Sequence, residues 1–411
     1  MSGHVETEKG RPGPRAIDVE TIELVRRMIG INVHRSPRHK NEVTSSDSFR
    51  QFAFGYGDDN PMWCDRAHGS ASSWGSVIAP PIYPYTAGVS KPVRWTDAEQ
   101  AIMRAGDPLR GIGQYMCGDR WVFVKPIRPG DILHRSQTLH DAVLQKSQFG
   151  GGAGALVSHR VSWDGEDGQP FACRFLDYFH ADREKSRQSG KYRSLEPPSY
   201  TDDDIARYDA LYAAEEVRGA TPRLLSDVAV GDEIGPIAKG PISVTDIVCW
   251  HSGTGMGEFG VSALRLGWKN RQRVGGFYQK NAQGFWDAAM RAHWDQAWAE
   301  QLGQPAPYDY GIMRSTWVCH LVTNWAGDDA WVWKVSSRVR KFNHMGDASI
   351  VSGTVREIDA ANNAVTIDAK VVNQRGDVSC DGWITVILPP AGGGHAVLPE
   401  FDPDDVPEAT V

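Results

Sequence analysis

The 411-residue chain has no apolar run approaching the roughly 18 residues that a membrane-spanning helix needs. Its opening stretch, MSGHVETEKGRPGPR, carries no apolar segment of a secretory signal. An excess of positive charge is also missing. Lys and Arg number 44 against 51 Asp and Glu, a net charge of −7. That balance excludes a general binder of nucleic acid or of anionic membranes and leaves room only for a local basic pocket. Six cysteines, Cys64, Cys117, Cys173, Cys249, Cys319 and Cys380, form no CxxC pair. They read as reduced thiols in a cytoplasmic protein, mostly small core residues. Walker A, HExxH and GxSxG patterns are absent. His34, His39, His140, His159, His180, His320 and His344 are scattered without metal-ligand spacing, so no metal site is expected. His320 falls in an apolar stretch and reads as a satisfied core histidine. The motif Gly255-Met256-Gly257-Glu258-Phe259-Gly260 matches GxGxxG and follows a strand-like run over 242–250. No Asp or Glu lies between 259 and 286, where a ribose-binding acid would stand, and no repeated βαβ pattern follows. A dinucleotide site is therefore set aside.

What is present is a globular composition, 41% hydrophobic and 23% charged, with a length that suits two or three domains. Fifteen tryptophans are well above an ordinary share. They indicate either an unusually aromatic core or a large apolar ligand. Residues 1–17 and 392–411 read as loose tails, the second acidic and proline-rich. Between them one pattern is written twice. Strand-like segments fall at 131–147, 155–163 and 170–180, and again at 331–343, 347–359, 364–373 and 379–388. The alternation Val365-Thr366-Ile367-Asp368-Ala369-Lys370-Val371 is typical of them. Gly150–Gly154, Asn362-Asn363 and Arg375-Gly376-Asp377 supply hairpin turns. Gly130-Asp131 opens the first run of strands and Gly346-Asp347 the second. Short connections imply antiparallel sheets. The charged segment 181–222, with a helix over about 203–216, reads as the linker between halves.

A helix is expected before the second sheet at 283–303, with Phe285, Ala289, Ala292, Trp294 and Trp298 on its apolar positions and Gly303 at its stop. The segment 311–325, GIMRSTWVCHLVTNW, is apolar nearly all round and predicts a buried helix. A buried helix wrapped by a long antiparallel sheet is an α+β arrangement.

One stretch carries chemical information: Phe54-Gly55-Tyr56-Gly57-Asp58-Asp59-Asn60-Pro61-Met62-Trp63-Cys64-Asp65, followed by Trp74-Gly75-Ser76-Val77-Ile78-Ala79-Pro80-Pro81. It resembles the signature of the MaoC-like, R-specific enoyl-CoA hydratases and dehydratases, Asp-x-Asn-Pro-x-His-x-Asp and then Phe-Gly-x-x-Ile/Val-Ala-His/Pro-Gly. In the second half, the segments 225–234 and 242–248 look like the opening of such a domain. His293-Trp294-Asp295-Gln296-Ala297-Trp298-Ala299 is similar to the His-x-Asp-x-x-Phe-Ala of its central helix. The segments 308–317 and 373–377 also resemble pieces of two-domain members. The resemblance touches most of residues 45–390.

The resemblance implies a double hotdog: an N-terminal hotdog domain over 18–180 and a C-terminal one over 223–391, each a curved antiparallel sheet around one long helix. It implies an acyl thioester as substrate, on coenzyme A or on an acyl carrier protein, and reversible addition of water across the α,β double bond. No separate cofactor is implied, since coenzyme A enters with the substrate. A homo-oligomer, a dimer, is the implied assembly. In such enzymes an Asp and a His share one water, and a backbone N–H polarises the thioester carbonyl; an acid/base pair must reach a common water, and the enolate oxygen needs fixed donors.

Carried over residue by residue, Asp58 takes the catalytic Asp position, Asn60 and Pro61 match, and Trp63 stands where the His belongs. Tryptophan exchanges no proton, so the first site is disabled for standard hydration. In the second half His293 takes the His position, but no Asn-Pro precedes it and the nearest upstream acid is Asp287, six residues before rather than five. The expected pair is Asp287/His293, with Asn60, Trp63, Gly75, Trp294 and Arg314 as substrate contacts. Each has a plainer alternative: a helix cap for Asp58, a core histidine at 293, a first-turn acid at 287, a structural ion pair at 314. The basic run Lys269-Asn270-Arg271-Gln272-Arg273 suits coenzyme A phosphates or a solvated loop. Trp63, Trp74, Trp286, Trp294, Trp298, Trp317 and Trp325 all fall on or beside these motifs, which favours a bulky or aromatic acyl group. A non-catalytic acyl-CoA-binding subunit and a hotdog thioesterase or lyase remain alternatives.

Overall fold

The computed structural model describes residues 16–33, 40–147, 152–181, 195–256, 261–402 and 405–409. Twelve strands are found among them: β1 (Val89–Ser90), β2 (Gly113–Phe123), β3 (His134–Ser147), β4 (Gly152–Asp164), β5 (Pro170–Ala181), β6 (Glu233–Lys239), β7 (Tyr278–Lys280), β8 (Trp286–Ala288), β9 (Trp331–Val339), β10 (Ser349–Asp359), β11 (Ala364–Asn373) and β12 (Val378–Ile387). Ten form one sheet in the order β1-β3-β4-β5-β2-β9-β12-β11-β10-β6. Each half of the chain supplies five. The halves meet where β2 pairs antiparallel with β9, from Gly118↔Arg338 to Val122↔Lys334.

The strands form where alternation predicts them. On β11 the inward set Val365, Ile367, Ala369 and Val371 is buried while Asp368 and Lys370 face water. The turn into β12 bends at Gly376, whose φ of +77° suits glycine and few other residues. Asn363 turns β10 into β11 at φ 53°. Of the turn expected at Gly150–Gly154, residues 152–154 already belong to β4 and the first two lie outside the described residues, as does the end of the glycine motif at 255–260. The Gly-Asp landmarks are turn locks. Asp131 accepts from the Arg128 N–H at 2.7 Å, and buried Asp347 accepts from the His344 N–H at 2.9 Å and from both ends of the Arg375 guanidinium at 2.6 Å.

The helix Gly311–Ala326 is the axis of the second half and packs on β6, β9, β10, β11 and β12 and on β2 of the first half. Thirteen of its 16 residues are buried, as an all-round apolar pattern requires. Among the described residues the first half has no helix of that length. Its sheet is covered by the short helices Val19–Arg26, Ser46–Phe54 and Pro61–Cys64, so part of its inner face stays open.

Several expectations are corrected. Residues 283–303 are not one helix. A hairpin of β7 and β8 occupies the first part, a 3₁₀ turn runs over Ala289–His293, and only Gln296–Gln301 is α-helical, capped by the Asp295 carboxylate on the Trp298 N–H at 2.9 Å. Gly284, at φ +86°, bends the chain into the hairpin where a helix would have to continue. Most of the strand-like run at 242–250 lies in the helix Val244–Thr254, whose buried residues Ile247, Trp250 and Thr254 recur at helical spacing. Strands β2 and β6 carry Gly113, Gly118, Gly235 and Pro236, residues depleted in strands, and their pairing comes from neighbours rather than propensity. The described part of 392–411 is docked. His395 stacks on Trp74 at 4.0 Å, Lys334 pairs with Asp405 at 2.5 Å, and Arg120 donates to the Pro407 carbonyl at 3.2 Å.

Leu321, 2% exposed, packs against the glycines at 235 and 353 beneath it. Leu321→Ala leaves a cavity there and is expected to cost about 2–5 kcal/mol in urea unfolding, with an unchanged slope.

Candidate functional site

The signature segment builds a closed polar cluster. Asn60 caps the helix Pro61–Cys64 through its side chain on the Met62 N–H, with Pro61 at the first helical position. Asp58 is not the cap. Its carboxylate accepts from the Asn60 N–H at 2.9 Å, the Tyr56 hydroxyl at 2.8 Å and the Trp63 indole N–H at 2.9 Å. Trp63 thus fills the histidine position as a hydrogen-bond donor. The central helix presents His320 to the same carboxylate, Nε2 to Oδ1 3.5 Å, and to Glu215 of the linker at 3.0 Å. A carboxylate only accepts, so His320 Nε2–H donates to Glu215; in the neutral ring Nδ1 then accepts from the Lys239 ammonium at 2.7 Å. Burial pushes the Lys239 ammonium below its usual range. Burial also pushes Glu215 up, but the His320 hydrogen bond and the Lys239 charge outweigh it and the net direction is down. The expectation of a satisfied core histidine at 320 matches this geometry.

This cluster corrects the expectation that Asp58 does acid/base work. The carboxylate is 1% exposed and engaged by three donors, and the space beside Asn60 and Trp63 measures only about 40 Å³. Gly75, at φ +71°, lines neither this space nor the larger cavity. It follows Trp74, whose indole N–H donates to the Asp328 carbonyl at 2.7 Å and whose carbonyl accepts from Arg128. The motif stitches the first half to the end of the central helix.

The roomy site is elsewhere. A cavity of about 1210 Å³ lies over the open inner face of β2–β5, reaches β9, and is walled by Met290, His293 and residues 308–312 at the start of the central helix. His293 stacks on Tyr310, with ring centroids 3.7 Å apart, and its Nδ1 lies 2.6 Å from the Tyr308 carbonyl. A carbonyl only accepts, so Nδ1–H donates and Nε2 keeps its lone pair. Burial pushes the imidazole down to about 4, so the base form dominates at neutral pH. Tyr310 is the N-cap of the central helix, and no side chain caps the helix there. Gly311 and Ile312, which carry the first N–H groups of that helix at the positive end of its dipole, line the cavity together with His293.

Asp287 and His293 are not brought together. Asp287 sits on β8 opposite Gln279 and accepts from the Ala288 N–H, and no described hydrogen bond or ion pair joins it to His293. Trp294 packs edge-on against His251 at 5.7 Å and does not line the cavity. Arg314 is the core of a buried ion pair. It bonds Asp309 through Nε at 2.8 Å and through a terminal nitrogen, and donates to the Lys341 and Ser379 carbonyls. Four of its five N–H donors are thus used within the protein, as the plainer alternative of a structural ion pair requires, and the residue still borders the large cavity. The tryptophan excess is also answered: no tryptophan lines the large cavity. Trp163 and Trp331 donate to the Ala87 and Phe123 carbonyls, and Trp121 stacks between Phe123 and Trp163 in the core. Sequence reasoning missed the cavity's cations. Arg340 and Lys341, paired with Asp381 and Asp377, are partly open to solvent at its edge, and only strand pairing brings them beside the first half.

Residues 27–174 match the family model described as "FAS1-like, dehydratase domain region". No curated protein sequence matches the chain. Among solved structures, a MaoC-like dehydratase is similar over 88% of this chain and 98% of its own, at 14% identity and a TM-score of 0.58. A MaoC domain protein dehydratase from Chloroflexus aurantiacus J-10-fl is similar over 88% and 95%, at 12% identity and TM-score 0.53. A Mycobacterium tuberculosis protein described as having a double hotdog fold is similar over 89% and 97%, at 9% identity and TM-score 0.50. At such identities the likeness is one of fold: the chain is an α+β double hotdog.

Removing the Asp58 carboxylate leaves three buried donors without an acceptor. Asp58→Ala is expected to cost about 3 kcal/mol or more in denaturant unfolding, whereas Asp287→Ala, on the hairpin, stays within about 0.5 kcal/mol.

Proposed function

We propose that this chain, which joins the MaoC-like hotdog dehydratases through its FAS1-like dehydratase region and its double hotdog fold, hydrates enoyl thioesters and dehydrates 3-hydroxyacyl thioesters with His293 as the acid/base. The observation that carries this reading is the shared wall. His293, with a free Nε2 lone pair, and the side-chain-uncapped start of the central helix border one cavity. In the hydration direction His293 Nε2 takes a proton from water and the hydroxyl adds to the β-carbon. The electron pair moves to the thioester oxygen, which accepts from the helix N–H groups. The imidazolium then returns its proton to the α-carbon.

The cavity's volume, not the tryptophans, supports a bulky acyl group. The cations at its edge, Arg340 and Lys341, support a phosphate-bearing carrier, coenzyme A or the phosphopantetheine of an acyl carrier protein. A second reading rests on a specific observation. Among the described residues no carboxylate is hydrogen-bonded to His293, and Asp58 is closed off by Trp63. That supports an acyl-thioester-binding subunit whose acid comes from a partner.

A panel of trans-2-enoyl-CoAs from short to bulky, followed by loss of the conjugated thioester absorbance, separates the two. Turnover is expected on bulky chains, with kcat/KM falling at least 100-fold in His293→Ala. Binding without turnover across the panel would leave the subunit reading. Since protonation removes the Nε2 lone pair, the acid limb of kcat/KM is expected near pH 4, where burial puts His293, rather than near 6.5; an inflection at 6.5 would count against His293 as the base.

A further inference from the structure

The net charge of −7 hides a basic segment. Residues 264–286 hold Arg265, Lys269, Arg271, Arg273 and Lys280 and no Asp or Glu. The helix Leu264–Arg273 and the β7–β8 hairpin as far as Trp286 make up this segment, Asp287 being the next residue of β8, and the helix buries none of its side chains among the described residues. Six of the seventeen exposed large apolar side chains among the described residues fall in these 23 positions: Leu264, Leu266, Trp268, Val274, Phe285 and Trp286. Leu264 is 93% exposed. The Arg271 guanidinium lies over the Trp286 ring at 5.1 Å, so helix and hairpin form one surface in which cations and aromatics interleave. A contiguous exposed apolar patch of this kind marks an interaction site.

We propose that residues 264–286 are a docking element for an anionic lipid surface. Two features select that occupant. Aromatic and aliphatic side chains among Lys and Arg match the boundary between headgroups and acyl chains. A two-fold contact between copies would set five cations against five, with Asp287 of β8 the one acid the hairpin adds to offset them. The correction this makes to the whole-chain charge argument is one of distribution.

The hairpin leads into the cavity wall. Arg291 donates to the Gln279 and Ala288 carbonyls at 3.4 Å, tying the hairpin to the turn that carries Met290 and His293. Docking would bring the cavity close to a source of acyl chains, but the proposal stands whatever reaction the cavity performs.

Co-sedimentation of the full chain with vesicles tests it, comparing phosphatidylcholine alone with phosphatidylcholine containing phosphatidylglycerol. The bound fraction is expected to be at least tenfold greater on the anionic vesicles and to fall steeply as salt rises. K269E/R271E/R273E and, separately, W268A/F285A/W286A should each lower it at least tenfold with an unchanged melting temperature, since these side chains are exposed. The wild-type comparison of lipids and salts decides the matter even where a variant folds poorly. Equal binding to neutral vesicles, or no binding at low salt, would overturn the proposal. So would a solution dimer that either variant splits into monomers, which would make the segment an interface between copies.

Discussion

A helix buried on nearly every side must have its charged and longer polar side chains answered by other segments, and the structure is arranged around that demand. Along Gly311–Ala326, Arg314 is met by Asp309 from the preceding turn, Ser315 by Ser337 of β9, His320 by Lys239 of β6 and Glu215 of the linker, and Asn324 by Glu215 again. These partners come from separate parts of the chain. The helix can be buried only when both halves, the linker and the shared sheet are in place. The linker is therefore no tether: Tyr200 and Tyr212 donate to the Gly346 and Gly240 carbonyls, fastening it to the second half.

The same demand explains what became of the signature motif. Asp58 faces His320 across the halves, and Trp63, in the position the motif gives to a histidine, is one of three donors on its carboxylate. A bulky donor in that position closes the space around Asn60 and turns an acid/base pair into a fastening. The second half holds the opposite arrangement. His293 is desolvated and its Nδ1 is spent on a carbonyl, so its remaining nitrogen is available to the cavity. Their partners separate the two histidines, since two carboxylates and Lys239 surround His320 whereas stacked tyrosine lies against His293.

The open inner face of the first half follows from helix lengths. Nine residues at Ser46–Phe54 cannot cover what sixteen cover in the second half, and the uncovered sheet becomes the cavity floor. Charge is handled locally there: Arg174, which lines the cavity, pairs with Asp119 at 2.6 Å while lying over the Trp121 ring. A buried guanidinium held by a carboxylate keeps the floor polar without leaving net charge in a low-dielectric space.

Periodicity made the outer strands legible. Alternation in β10, β11 and β12 and the all-round apolar run at 311–326 are local patterns that decide which faces are buried, and the turns at Asn363 and Gly376 need backbone conformations that few residues take. The motif likewise pointed to the family through consecutive residues. Its chemistry was not legible, because hydrogen bonding is a matter of distance rather than order: Asp58 is 262 positions from His320 in the chain but 3.5 Å from it in the fold. The break of 283–303 into hairpin, 3₁₀ turn and short helix was likewise hidden, since Trp286, Trp294 and Trp298 suit a helical stripe as well as a hairpin and a loop. The sequence by itself determined two related α+β halves and a buried helix, because burial period and turn geometry are short-range. Only the tertiary structure decided which histidine faces a cavity and which is locked, because that depends on what the other half brings alongside.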